Sequence, residues 1–275
     1  MRPVRELARL LLPVACPCGE LDVPWCARCA ALLAGPFGRV EHGAPRLDRL
    51  DGVPPVPVWA LTPYAGPVRD VVVHWKDRGR TDLDRLLAPA LRRAVVRLAP
   101  ALAPARLAPA LSPARPVAVV PVPSTAAARR ARGREPVAVL ARAVAGGLRD
   151  GGVPARVVSA LVRTGHGRDQ VGLGARARGR NLTGSVRMTR RGAQALGQRS
   201  MCILVDDVLT TGATLAAVER ALEGPGHDVL GATVLAATPA PGTRGPDRSA
   251  RAVRVKATYR SEPQSVTDLC RPVHR

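Results

Sequence analysis

The segment from Met201 to Leu222, MCILVDDVLTTGATLAAVERAL, constrains what this chain can fold into more than any other. Its first five residues are apolar and predict a buried strand of a parallel sheet, and an amphipathic helix follows after a short turn. Asp206 and Asp207 come at the end of this predicted strand, where open α/β sheets bind ligands. We therefore expect both carboxylates to face water or a ligand.

The turn of this segment places hydroxyl groups next to a helix start. Thr210, Thr211, Gly212, Ala213 and Thr214 bring hydroxyls and free backbone N–H groups to that point, and glycine lets a backbone approach an anion closely. A phosphate in this turn, with vicinal sugar hydroxyls donating to the acid pair, indicates a ribose 5-phosphate group as ligand. The alternatives are an ordinary strand–helix junction with a threonine cap, and a pair of acids that binds a metal ion.

The string VDDVLTTGAT resembles the phosphoribosyl-pyrophosphate (PRPP) binding motif of type I phosphoribosyltransferases. The match includes the strand context, the acid pair and the TTGxT turn. The resemblance implies the type I phosphoribosyltransferase fold, an α/β fold with a central parallel sheet.

Predicted strands and helices alternate along the chain, which independently favours a parallel, doubly wound sheet. Apolar runs predict strands at 56–61, 117–122, 157–162, 201–205 and 229–237, and helical spacing predicts helices at 65–75, 83–98 and 136–148. Because aromatic residues make up only 2% of the chain, we expect a core of Val, Leu and Ala. The predicted regions are a cysteine-rich module at 1–45, a phosphoribosyltransferase-like domain at 55–238 with an Ala/Pro-rich insertion at 100–116, and a basic, disordered tail at 239–275.

Four of the six cysteines lie close together near the start of the chain, at Cys16, Cys18, Cys26 and Cys29. Without a secretion signal, such a cluster is more typical of structural zinc than of disulfides, and a zinc-ribbon-like module needs little core of its own. The first pair is Cys-Pro-Cys, however, whereas zinc knuckles use C-x-x-C. A site that has lost its metal and a redox pair are the alternatives. Cys202 is interpreted as a small core residue.

A formal net charge of +21 raises the question of nucleic-acid binding. Almost all the cations are arginines that increase together with Ala, Gly and Pro, so coding bias is an equally good explanation. Arg129, Arg130, Arg132 and Arg134 flank Gly133 in an anion-friendly loop. No run of about 18 apolar residues predicts a membrane span, and the short apolar start lacks a cleavage site, so the predicted location is the cytoplasm.

Five features in order resemble the ComF family of competence-associated phosphoribosyltransferase-like proteins over about residues 10–238. They are the cysteine cluster, KDRGR, PVPS followed by RRARG, the pattern Q-x-x-L-x(4)-R-x-x-N and VDDVLTTGAT. Two departures are the shortened cysteine pair and the sequence Arg134-Glu135-Pro136, where family members commonly read Phe-Asn-Gln.

The resemblance implies a role for each matching residue. Asp206 and Asp207 would hold the ribose hydroxyls of PRPP as the catalytic pair, and residues 210–214 would hold the 5-phosphate. Lys76, Arg78 and Gly79 would hold the pyrophosphate with Mg²⁺, and the loop 163–181, which includes Arg178 and His166, would close over the ligand.

The implied function is binding of PRPP or a related ribose-5-phosphate nucleotide, with transfer of the phosphoribosyl group as the activity if the protein is an enzyme. The alternative is a non-catalytic accessory of DNA uptake or recombination, which binds single-stranded DNA and competence proteins.

Overall fold

A six-stranded sheet organises the part of the chain that this computed structural model describes, which comprises residues 14–49, 52–102, 116–164 and 186–239. The strand order is β1-β2-β8-β7-β3-β4, and every neighbouring pair is parallel except β1 with β2. β5 and β6 form a separate antiparallel pair. The strands are β1 (Gly38–Arg39), β2 (Val58–Pro63), β3 (Val117–Pro121), β4 (Ala155–Val157), β5 (Leu161–Arg163), β6 (Val186–Met188), β7 (Met201–Leu209) and β8 (Asp228–Ala237).

Helices cover both faces of this sheet, so the central strands are buried on both sides. In β7, Ile203 and Val205 belong to a core shared with α2, α3 and α5, whereas Cys202 and Leu204 belong to a second core shared with α7. The described helices are α1 (Ala27–Ala31), α2 (Gly66–Asp77), α3 (Asp84–Leu98), α4 (Ala126–Arg132), α5 (Pro136–Asp150), α6 (Arg190–Leu196) and α7 (Ala213–Glu223). The predicted α/β class with a central parallel sheet is therefore confirmed.

Small side chains let the layers approach closely. A Cβ atom on Gly147 of α5 would lie 2.6 Å from the backbone oxygen of Arg92 in α3, so only glycine fits this helix crossing. The buried residues are mostly Val, Leu and Ala, and Trp59 and Trp75 are the buried aromatic side chains among the described residues. This agrees with the expected composition of the core.

A buried acid supports the antiparallel edge of the sheet. Glu41 follows β1 and its carboxylate accepts hydrogen bonds from the Arg39 guanidinium and from the Val58 backbone N–H, the latter at 3.1 Å. Burial alone would raise the pKa of Glu41, but the hydrogen bonds from Arg39 and from backbone N–H groups lower it to about 2. The carboxylate is therefore a fixed part of the sheet edge.

Three sequence predictions about elements were wrong. The strand predicted at 157–162 is two short strands in different sheets, β4 and β5, because the chain turns at residues 158–160. Residues 126–132 are helix α4 and not a loop, since Thr125 Oγ1 caps the Ala128 N–H and Gly133 ends the helix with a positive φ. β7 continues past residue 205 to Leu209, so the acid pair lies within the strand.

Several predicted features lie outside the described residues. They are most of the insertion at 100–116, most of the loop at 163–181 with Arg178 and His166, and the tail from residue 240 onward. The boundaries of the three predicted regions stay a prediction. None of the described helices combines the length and the apolar composition that a bilayer crossing requires.

Candidate functional site

A cavity of about 380 Å³ lies at the carboxyl ends of β2, β3 and β7, where the sequence predicts the site. Its wall contains polar and charged groups together with valines from α2, α5 and β7 and the valine that follows β3. Its volume is within the range of small-molecule sites. The polar and charged lining residues are Tyr64, Lys76, Asp77, Ser124, Thr125, Arg132, Arg163, Asp206, Asp207, Thr210 and Thr214.

The two acids of β7 have different surroundings because successive side chains of a strand point to opposite faces. Asp206 is half-buried, while the Asp207 side chain is only 4% exposed. Lys76 Nζ of α2 lies 2.5 Å from Asp207 Oδ2, an ion pair without the angles of a hydrogen bond. Asp207 thus departs from the expectation that both acids face water or a ligand, since it is turned toward a cation.

The surroundings of the Asp206 carboxyl group raise its pKa. Burial raises the pKa of Asp206 to about 7, and the negative charge of Asp207 adds to this effect. The backbone N–H of Asp207, 2.8 Å from Asp206 Oδ1, and the charges of Lys76 and Arg163 act in the opposite direction. An ionised carboxylate accepts hydrogen bonds from hydroxyl groups, so the ability of Asp206 to hold a diol depends on pH.

The turn between β7 and α7 is held in place from below by residues 44–47. Gly212 has a φ of +82°, and a Cβ atom there would lie 2.5 Å from Leu47 Cγ. The Arg46 N–H donates to the Thr211 oxygen at 3.0 Å. Glycine is therefore required at position 212 both by the backbone conformation and by the close contact with Leu47. Thr210 and Thr214 line the cavity, while Thr211 and Ala213 do not.

The predicted cationic loop KDRGR divides into residues at the cavity and residues away from it. Lys76 lines the cavity, but Arg78 and Gly79 do not; Arg78 lies 3.0 Å from His74 Nε2 instead. Arg80 donates to the backbone oxygens of Ala15 and Pro24 at 2.8 and 2.9 Å, and it also pairs with Asp82. Arg80 thus connects the segment with the four clustered cysteines, residues 15–29 and here called the cysteine-rich hairpin, to the end of α2.

The arginines around Gly133 are mostly paired with acids. Arg129 lies 3.3 Å from Glu135, Arg132 lies 2.9 Å from Asp77, and Arg134 lies 2.6 Å from Asp84. Arg134 also stacks over the Trp75 ring at 5.7 Å. Such pairing reduces the positive surface that the sequence suggested for a polyanion such as DNA. Of the four arginines at positions 129, 130, 132 and 134, only Arg132 lines the cavity.

Sequence reasoning missed several residues of the cavity. Tyr64 follows β2, Asp77 ends α2, and Ser124 and Thr125 follow β3. The string PVPS after an apolar strand was the available signal for the two hydroxyl residues, because the carboxyl ends of parallel strands meet at one edge. Asp77 lies within KDRGR, but only the cations and the glycine of that string were assigned a role, and no sequence pattern identified Tyr64.

The four clustered cysteines form a group that could hold a metal ion such as zinc. Their sulfur atoms all lie within 4.8 Å of one another, with Cys16 Sγ 3.4 Å from Cys18 Sγ and 3.6 Å from Cys29 Sγ. Tetrahedral Zn²⁺ with bonds of about 2.3 Å separates its sulfur ligands by about 3.8 Å, so the set fits. The short Cys-Pro-Cys spacing therefore does not prevent a four-thiol group.

The thiols of this cluster differ in acidity. Burial raises the pKa of Cys29 and of Cys16. Burial acts on Cys18 in the same direction, but a backbone hydrogen bond at Glu20 and the neighbouring thiols lower its pKa to about 7. Cys202 is buried in β7, where burial raises the pKa of its thiol to about 12, as expected for a core residue.

Comparison with known proteins gives only distant similarity. No known protein-family model matches the chain, and no curated protein does. Similar solved structures belong to a series described as an analysis of an invariant aspartic acid in HPRTs. The glutamic acid mutant is 21% identical over 57% of this chain and 72% of its own, with a TM-score of 0.35. The alanine mutant is 20% identical over 55% and 69%, with a TM-score of 0.35. Similarity at this level carries no argument about activity.

Proposed function

We propose that the chain is a phosphoribosyltransferase-like protein of the ComF type, which binds PRPP together with Mg²⁺ in the cavity at the end of β7. One observation carries this proposal: the cavity brings the acid pair, the Thr210–Thr214 turn and Lys76 to one edge of a parallel sheet. These groups match the two halves of the ligand that the sequence indicates. An acidic strand–helix junction without a ligand would not need a cavity of this volume.

Each end of the ligand has matching groups in the cavity wall. In its ionised form Asp206 accepts hydrogen bonds from the ribose hydroxyls, and Thr210 and Thr214 donate to the 5-phosphate beside the start of α7. Lys76 and Arg163 supply positive charge for the pyrophosphate. Lys76 would leave Asp207 for the phosphate oxygens, which frees that carboxylate for a second hydroxyl.

The donor set also suits a divalent cation. Mg²⁺ takes oxygen ligands, and Asp206, Asp207 and Asp77 offer carboxylates along the cavity wall. When bound, the ion neutralises charge on the pyrophosphate and so makes it a better leaving group. Asp206 and Asp207 would then hold the sugar while pyrophosphate departs from the anomeric carbon.

Binding of PRPP is supported more directly than transfer of its phosphoribosyl group. A transferase also needs groups that recognise an acceptor, and Tyr64 is the aromatic side chain that lines the cavity. The neighbouring valines suit a flat or apolar acceptor, but the nucleophile is not defined by these contacts. As a transferase, the protein would release pyrophosphate, which a coupled assay measures directly.

A structural zinc in the cysteine cluster is part of the same proposal. The four thiols have the spacing that tetrahedral zinc requires, and Cys16, Cys29 and Leu33 pack into the core with α2 and α3. Zinc would fix the hairpin that Arg80 ties to the end of α2. Single-stranded DNA binding has weaker support, because three of the four arginines at 129–134 are paired with acids.

Calorimetric titration with Mg²⁺-PRPP tests the proposal. The double variant Asp206→Asn/Asp207→Asn is expected to abolish binding and to keep its folded structure. Asp228→Asn is the matched control, because Asp228 is exposed at the opposite, amino end of β8. Equal affinity of the wild type and the double variant would overturn the assignment. Single-stranded DNA titrated at two salt concentrations tests the alternative, for which a steep salt dependence is expected.

A further inference from the structure

The end of α2 takes part in two ion pairs within the cavity. Lys76 pairs with Asp207 of β7, and the next residue, Asp77, pairs with Arg132 of α4 at 2.9 Å. All four side chains line the cavity wall. Two of the cavity's cations are therefore already held by carboxylates of the protein itself.

The Asp77–Arg132 pair is the more easily opened of the two. The Asp77 side chain is 51% exposed, so its carboxylate regains water when it leaves Arg132, whereas the Asp207 side chain is 4% exposed. Ion pairs with one well-solvated partner contribute little to stability. A phosphate group can accept hydrogen bonds from the same guanidinium N–H groups as a carboxylate does, and it carries more negative charge. It therefore competes well with Asp77 for Arg132.

The contacts of Arg132 distinguish it from the other arginines of this region. Arg134 is held by Asp84 and by the Trp75 ring, and Arg129 pairs with Glu135; neither lines the cavity. The Arg132 side chain is 21% exposed and donates to Asp77 through both Nε and one terminal nitrogen. The geometry therefore presents one arginine of α4 to a ligand.

We propose that Arg132 binds the pyrophosphate end of the ligand, and that Asp77 occupies Arg132 as a competing carboxylate until the anion arrives. This inference rests on the proposed function, and it assigns to Arg132 and Asp77 a role in setting affinity for the ligand. Binding exchanges one anionic partner of Arg132 for another. Affinity for pyrophosphate is consequently lower than the cations alone would provide.

A double-mutant cycle on Arg132 and Asp77 tests this exchange by calorimetry with inorganic pyrophosphate, with and without Mg²⁺, and with Mg²⁺-PRPP. Arg132→Gln is expected to weaken pyrophosphate binding about tenfold or more, as for the loss of a charged hydrogen-bonded partner. Without Mg²⁺, Asp77→Asn is expected to strengthen binding about two- to fivefold, which corresponds to the free energy that an exposed ion pair contributes. In the Arg132→Gln background, again without Mg²⁺, the gain from Asp77→Asn should be clearly smaller, because Asp77 then has no arginine to release.

Arg129→Gln and Glu135→Gln form the matched control, because this pair lies on the same stretch of chain outside the cavity. Neither change should alter affinity. Unfolding midpoints verify that every variant is folded. Wild-type affinity in Arg132→Gln, or weaker binding without Mg²⁺ in Asp77→Asn, would overturn the inference. If the wild type binds pyrophosphate with the predicted pattern but does not bind PRPP, the proposed function fails and the anion site stands.

Discussion

Gly212→Ala tests whether the close packing under the β7–α7 turn is as tight as the structure indicates. The new Cβ would lie 2.5 Å from Leu47 Cγ and 3.2 Å from Ala44 Cβ, both of which are buried. The backbone there has a φ of +82°, which costs a non-glycine residue about 1–2 kcal/mol. Overpacking adds about 1–3 kcal/mol. The expected loss in the free energy of unfolding is therefore about 2–5 kcal/mol.

Gly226→Ala separates these two contributions. Gly226 follows the same helix with a φ of +85°, but nothing lies within 4 Å of the position of its Cβ. It should lose only the backbone contribution of about 1–2 kcal/mol. Urea unfolding followed by tryptophan fluorescence measures both variants, because Trp59 and Trp75 are buried.

A second substitution then relieves the overlap. Leu47→Ala alone should cost about 2–5 kcal/mol, since Leu47 is 1% exposed. Combined with Gly212→Ala, the total should be smaller than the sum by roughly the overpacking contribution, because the alanine Cβ then has room. Equal losses for Gly212→Ala and Gly226→Ala, or strict additivity in the double variant, would refute the packing argument.

Three further predictions concern titratable groups and metal. Burial raises the pKa of Asp206 to about 7. The affinity for ribose 5-phosphate, measured by calorimetry, should therefore rise between pH 6 and pH 8 more in the wild type than in Asp206→Asn. Parallel affinity–pH profiles of the two proteins would contradict this. Glu41 has a folded-state pKa of about 2 against 4.5 unfolded, so its contribution, on the order of 3 kcal/mol, is present above pH 4.5 and lost as the pH falls toward 2. Glu41→Gln should flatten that part of the stability profile, and an unchanged slope would contradict a lowered pKa of the Glu41 carboxyl group. The purified protein should bind one equivalent of Zn²⁺, and Cys18→Ser should weaken binding at least tenfold in a chelator competition; full retention would exclude Cys18 as a ligand.

The position of the site at the end of β7 could be predicted from sequence because its signals are local. An apolar run, two acids and a hydroxyl-rich turn follow one another between Met201 and Thr214, and chain order alone places them at one sheet edge. The predicted α/β class rests on the same kind of short-range periodicity. These features depend little on distant parts of the chain.

The contacts that complete the site are long-range and leave no comparable pattern. Leu47 packs against Gly212 from a segment that lies between the predicted regions 1–45 and 55–238, and Arg132 reaches Asp77 across 55 positions. The pairing of Lys76 with Asp207 likewise depends on how α2 packs against β7. Helix α4 was missed because seven residues rich in arginine and alanine have too little apolar periodicity to indicate a buried face.

The attachment of the cysteine-rich hairpin limits how far this protein can be truncated from its N-terminal side. Arg80 donates hydrogen bonds to the backbone oxygens of Ala15 and Pro24, and Leu33 belongs to the same buried core as residues of α2 and α3. Truncation before residue 55 would strip these groups away, uncover apolar surface and also remove Leu47 from beneath the turn. The hairpin is therefore part of the folded domain. The properties of a truncated chain would reflect the loss of these core contacts as much as the loss of the thiols.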